Sequence, residues 1–272
     1  MILGVDTSTK LTEQTAWEVK HAGYQFVGRY LVPPQKYTRK ALTAKEAKII
    51  SDAGLGLLTV WETTAERASE GPNSGAADGA TALKCARDIQ MPSNGIIYFA
   101  VDFDANDGNM AEIRDYLRAA RNNTEEYEIG VYGSYKVIEA LRYDGICKGF
   151  WQCIAWSYGR KSTARNVYQC DAGKSIAGVS VDVNECDDME RAGIWTYKQG
   201  KEEESSVADK RYHTVNSMPS WARPTIIKLV SAKYLRGSGT KYDSNGYPAD
   251  LNLSEDMIRM LVILDRAGAF DR

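Results

Sequence analysis

The sequence predicts an α/β protein, a (β/α)8 TIM-like barrel followed by a small, mainly helical C-terminal domain. Three observations predict it. Short β-rich runs alternate with longer helical patterns up to about residue 190, as in βα units built around a parallel sheet. Eight such β-rich runs occur, the number that closes a barrel of this kind. Beyond them the polar stretch KQGKEEESSVADKRYHTVN has almost no apolar periodicity and reads as a linker. The domains expected are a barrel over 1–197, a linker over 198–215 and a separate module over 216–272.

The strands are expected at Ile2–Asp6, Phe26–Tyr30, Leu57–Glu62, Ile96–Asp102, Ile129–Tyr132, Phe150–Ala155, Val167–Gln169 and Val179–Val183. Helices are expected at Thr12–His21, Thr43–Ala53, Gly75–Ile89, Gly108–Arg121 and Tyr135–Leu141, with Thr43 and Glu46 spaced as a capping box. The later strands have weak helices or none between them. In the last segment Trp221, Ile226, Ile227, Leu229 and Val230 mark one amphipathic helix, and Met257, Ile258, Leu261, Val262 and Leu264 mark another. Ser254 is placed to cap the second, with acids in its first turn, and Gly268 to end it.

Composition narrows the function classes. A chain of 272 residues with 43% hydrophobic and 26% charged residues can bury a real core. A net charge of -2 gives no basic footprint for nucleic acid, and no apolar run approaches the roughly 20 residues of a membrane span. Asp6 interrupts the first apolar run, so no signal peptide is expected. The five cysteines form no CxxC pair and read as reduced, mostly buried small apolar residues. With only two histidines, His21 and His213, neither a Ser-His-Asp hydrolase nor a His-ligated zinc enzyme is expected. No cofactor is called for.

In a closed barrel the chemistry sits where strands end, so acids at those ends carry the argument. Asp6 ends the first strand, Glu62 the third, Asp102 and Asp104 follow the fourth, and Asp182 lies in the last. Alternation puts Asp102 and Asp104 on the face of Tyr98, and Asp182 on the face of Asn184. Crowded carboxylates hold some protons near neutrality while others stay ionised, as glycosidic cleavage requires. The same cluster would also suit Mg²⁺ or Ca²⁺. Trp61, Tyr98, Tyr132, Trp151 and Trp156 lie at or near the strand ends, where flat faces can meet sugar rings. Gln169 and Asn184 complete the expected substrate-binding set.

Three motifs carry a resemblance: GVD at Gly4–Asp6, YFAVDFDA at Tyr98–Ala105, and YQC with GVSVDVNE between Tyr168 and Glu185. They resemble the glycoside-hydrolase-like barrel of phage lysins and Gram-positive surface proteins, a relative of the family-25 lysozymes. In those lysozymes the fourth strand carries an Asp-x-Glu pair whose Glu is the general acid, and the last strand an Asp-x-Asn. The resemblance places Asp102 at the first acid, Asp182-Val183-Asn184 at the last-strand motif and Asp6 at the first-strand Asp. Asp104 stands where the lysozyme Glu would be and is one methylene shorter. Glu62, longer and on the adjacent strand, is the expected substitute, which makes Glu62 and Asp102 the expected essential pair.

The C-terminal stretch resembles the short terminal modules of phage lysins and, in part, S-layer-homology repeats. That implies attachment to wall polymers, with oligomerisation through the module as the other expectation. Its eight basic and six acidic side chains suit an anionic wall. Together the resemblances imply a phage-type endolysin, made in the host cytoplasm and reaching the wall at lysis, that hydrolyses peptidoglycan as a muramidase or glucosaminidase. A catalytically silent barrel binding wall carbohydrate and a metal-dependent hydrolase are the alternatives.

Overall fold

The computed structural model describes residues 1–197 and 211–271. The chain divides into two compact units, Met1–Gly200 and Lys201–Arg272. In the first, eight strands close in chain order into one barrel. They are β1 (Ile2–Asp6), β2 (Phe26–Tyr30), β3 (Gly56–Trp61), β4 (Ile96–Ala100), β5 (Glu128–Gly133), β6 (Gly149–Gln152), β7 (Val167–Ile176) and β8 (Val179–Cys186). Helices α1 (Glu13–His21), α2 (Ala44–Asp52), α3 (Pro72–Asp88), α4 (Met110–Asn122) and α5 (Tyr135–Leu141) follow the first five strands in turn.

The strands from β1 to β7 pair in parallel, but β8 runs antiparallel to both β7 and β1. This corrects the expectation of eight parallel βα units. The cause is local: only Ala177 and Gly178 join β7 to β8, both at positive φ (52° and 77°). Such a connection makes a tight hairpin, whereas a parallel neighbour needs a crossover of a dozen residues or more. Among the described residues no helix lies between β6 and β7 either.

Period-2 alternation sorts the strand residues into two layers. Phe26, Leu58, Tyr98, Trp151, Val167 and Cys186 point inward and fill the barrel. Their outward neighbours Val27, Leu57, Ile97, Phe99, Ile129 and Val131 pack with Ile50, Ile113, Leu117 and Ile138 of the helices. Each such aliphatic or aromatic side chain contributes about 1.5–3 kcal/mol by burial.

Helix starts follow from capping residues. Thr12 caps α1 in a capping box with Thr15, and Ser134 caps α5. Thr43 caps α2 by accepting from the Glu46 amide. The reciprocal half of the expected box is absent there, because the Glu46 carboxylate turns inward to the buried Arg29. Arg29 Nε donates to Glu46 Oε1 (2.7 Å) and Nη2 to Oε2 (3.2 Å), while the Leu11 amide donates to Oε1 (3.0 Å). The same guanidinium donates to the carbonyls of Thr7 and Lys40. One buried cation thereby ties β1, β2 and α2 to the segment that carries Lys40.

The second unit has its own core of Tyr212, Val215, Met218, Ile226, Leu229, Leu251, Leu253, Ile258 and Val262. Its helices are α6 (Arg223–Ser231) and α7 (Glu255–Arg266), the latter capped by Ser254. Residues 198–210 of the expected linker lie outside the described residues. Tyr212 and Val215, also expected there, are buried instead, and Tyr212 bridges Leu253. The second unit therefore begins earlier than residue 216, since those two apolar side chains complete its core.

Candidate active site

The inward stripe of each strand continues past the apolar filling to a polar mouth. There Asp6, Tyr30, Val60, Glu62, Asp102, Tyr132, Trp151, Gln169 and Asp182 line a cavity of about 170 Å³. Alternation explains the membership: Glu62 follows Leu58 and Val60, and Asp102 follows Tyr98 and Ala100. Gly28 makes room beneath, because a Cβ there would sit 2.8 Å from the Asp6 Cβ and 2.9 Å from the Trp151 ring.

Asp6 is the most constrained acid. Its Oδ2 accepts from Asn184 Nδ2 (2.7 Å) and Gln169 Nε2 (3.0 Å). Antiparallel β8 sets Asp182 directly beside it, in the register Asp6↔Asp182. Burial pushes the Asp6 carboxyl up to about 7, against the two amide hydrogen bonds that favour its ionised form; Asp182 and Glu62 add to the rise. Burial also raises Glu62 and Asp102, and the Lys40 ammonium opposes both shifts. Lys40 Nζ lies 3.7 Å from Glu62 Oε1 and 4.6 Å from the Tyr30 ring centroid. Burial and the facing carboxylates push the Tyr30 phenol well above its ordinary range. The site thus sets acids of raised proton affinity near the Lys40 ammonium.

Amide side chains fix the floor. Trp151 Nε1 donates to Asn184 Oδ1 (2.8 Å), and Tyr132 Oη donates to Gln169 Oε1 (3.1 Å). Asn184 and Gln169, expected to bind substrate, therefore orient Asp6, and Gln169 also lines the cavity. Trp151 and Tyr132 pack edge to face, their ring centroids 5.1 Å apart.

Four of the five expected acids meet at the mouth, and Asp104 does not. β4 ends at Ala100, so the alternation that would aim Asp104 inward stops, and Asp104 is exposed, accepting from Tyr158 Oη (2.8 Å). Tyr98 and Trp61 are corrected as well. Tyr98 is fully buried in the barrel and donates to the Ala192 carbonyl, which leaves no face for a sugar. Trp61 points outward from β3 into the layer under the helices. Trp156 sits half-buried in the turn after β6 at φ 52° and does not line the cavity. Sequence reasoning missed Tyr30 and Lys40. Tyr30 had a signal, as the inward residue ending β2; Lys40 had none, because a loop holds it through Arg29.

A closed barrel with carboxylates clustered at its mouth, three of them raised in proton affinity by burial, defines a class of glycosidase-like architectures. The chain belongs to the family described as Rv2525c-like, glycoside hydrolase-like domain, whose model matches residues 16–186. It is similar to the uncharacterized protein YbfG of Bacillus subtilis (strain 168), at 34% identity over 159 residues, 53% of this chain and 22% of that protein. The chain spans about a quarter of the length of the curated relatives it matches, 26% and 22%. The Mycobacterium tuberculosis Tat-secreted protein Rv2525c in complex with L-tartrate shares the fold, with a TM-score of 0.63 at 21% identity, over 71% of this chain and 98% of that one. So does the modular autolysin LytC from Streptococcus pneumoniae in complex with synthetic peptidoglycan ligand, with a TM-score of 0.51 at 14% identity, over 67% and 46%.

Proposed function

We propose that this chain is a peptidoglycan hydrolase whose barrel cleaves a glycosidic bond, of muramidase or glucosaminidase type, and whose second unit holds it on wall polymers. The observation that carries the reading is the meeting of Asp6, Glu62, Asp102 and Asp182 in one cavity, three of them with raised affinity for protons. Glycoside hydrolysis needs a carboxylic acid that is still protonated beside the leaving oxygen and a second carboxylate that is not. Glu62 and Asp102 are assigned as the essential pair. Lys40, beside Glu62, favours one ionised partner, and Asp6 and Asp182 set the local charge and orient the sugar. Asp104 has no catalytic part. The family, and the fold shared with an autolysin solved in complex with a synthetic peptidoglycan ligand, support a wall glycan as substrate, and the finer reading is an endolysin that meets the wall at lysis.

Incubating the full chain with purified Gram-positive walls tests the proposal. Turbidity is expected to fall and soluble reducing sugar to rise, with EDTA making no difference. One observation favours a second reading, a silent barrel that binds wall carbohydrate: Asp104 is turned out of the mouth and engaged by Tyr158. Walls that retain the protein yet release no sugar would select it.

A further inference from the structure

The mouth cavity, at about 170 Å³, is smaller than the roughly 300–1,000 Å³ of ordinary ligand clefts. A polymer must therefore extend beyond it. Beside it lies a groove of about 400 Å³ formed by the segments after β2 and β3 and by α3, lined in part by Lys36, Tyr37, Trp61, Thr63, Thr64 and Thr81. The two spaces are bordered by neighbouring residues. Trp61 and Thr63 flank Glu62 in the chain, and Lys40, 3.7 Å from Glu62, also lies 5.5 Å from the centroid of the Tyr37 ring.

The groove's chemistry is selective. Its two acids, Glu70 and Asp78, are both paired with Arg67, which donates to Asp78 from Nε and Nη2 at 2.9 Å each. Lys36 is exposed and has no ion pair among the described residues, lying only near the Tyr37 ring. The hydroxyls of Thr63 and Thr64 have no hydrogen-bond partner among the described residues. Trp61 contributes a buried indole N–H with no acceptor. An uncompensated cation beside free hydroxyls fits a ligand rich in hydroxyls that bears a single negative charge.

We propose that this groove is an accessory subsite for a carboxylate-bearing sugar of the same glycan strand whose scissile bond lies in the mouth. The inference rests on the glycan reading above. Lys36 meets the carboxylate, and Thr63 and Thr64 meet the ring hydroxyls.

Calorimetric titration of the full chain, in an E62Q background so that bound glycan stays intact, tests it with two probes. One is the N-acetylglucosamine disaccharide; the other is a tetrasaccharide of alternating N-acetylglucosamine and N-acetylmuramic acid. Thr81→Trp fills the groove from α3, and Lys36→Ala removes its free charge. Each is expected to weaken tetrasaccharide binding about tenfold, the loss of one charge-assisted contact, and to leave the disaccharide within about twofold. Equal effects on both probes, or none on the tetrasaccharide, overturn the subsite while leaving the glycan reading intact. If wild type and E62Q bind neither probe, both fall. Should Thr81→Trp fail to fold by circular dichroism, Lys36→Ala on the exposed surface decides alone.

Discussion

Asp6 shows how a single side chain can report on the site. Its carboxyl is pushed from 3.8 to about 7 because the folded barrel penalises its charge. Below pH 3.8 both folded and unfolded chains hold that proton, and Asp6 costs nothing. Between about 4 and 7 the unfolded chain releases it while the folded chain retains it, so stability falls as pH rises and levels off above about 7. Asp6→Asn removes this dependence. The melting temperature of the variant minus that of wild type is expected to grow from pH 4 to pH 7 and then stay flat in differential scanning fluorimetry. A pH-independent difference would refute the shift. For the proposed chemistry, Glu62→Gln and Asp102→Asn are each expected to lower wall hydrolysis at least a hundredfold, roughly what loss of acid–base help costs. Asp104→Asn, at an exposed site, is expected to stay within about twofold. The acids at strand ends were legible in sequence because inward alternation extends one step past a strand. Asp104 was misread because that rule lapses once the chain leaves the sheet.

At the scale of elements, Arg29 and Glu46 join β2 to α2 and hold the Lys40 backbone beside the mouth. Glu46→Gln leaves the guanidinium buried without its counter-charge and is expected to cost about 3–5 kcal/mol in urea denaturation. Lys48→Ala, which breaks an exposed pair with Asp52 on the same helix, is expected to cost at most about 0.5 kcal/mol. Equal losses in the two variants would show that the buried pair has no special structural part. The strands and helices of the first half were readable from period and caps to within a few residues. Strand direction was not, because alternation is the same for either sense. The two-residue link at Ala177–Gly178 was the signal for an antiparallel β8, and the run VYQCDAGKSI hid it by turning polar and exposed after Gln169 as β7 runs on to Ile176. Lys40 was invisible for a different reason. Its position depends on contacts from Arg29, eleven residues away, rather than on any local pattern.

For the whole molecule, each unit has an apolar core of its own. A fragment of residues 1–200 is expected to fold cooperatively and keep hydrolysis of soluble glycan fragments. If the second unit holds the chain on walls as proposed, its activity on dilute walls is expected to drop several-fold without it. Sedimentation with purified walls checks this, and a truncated barrel that co-sediments as well as the full chain removes the holding role. A unit as small as the second has a marginal core, so the 201–272 fragment is expected to melt well below the barrel. The most direct test of the central claim, that the mouth carboxylates cut a wall glycan, is mass spectrometry of purified peptidoglycan digested by wild type and by E62Q. The account predicts new reducing sugar ends with wild type and a loss of at least about a hundredfold with E62Q. Reducing ends absent from both digests, or equally abundant in both, would contradict it.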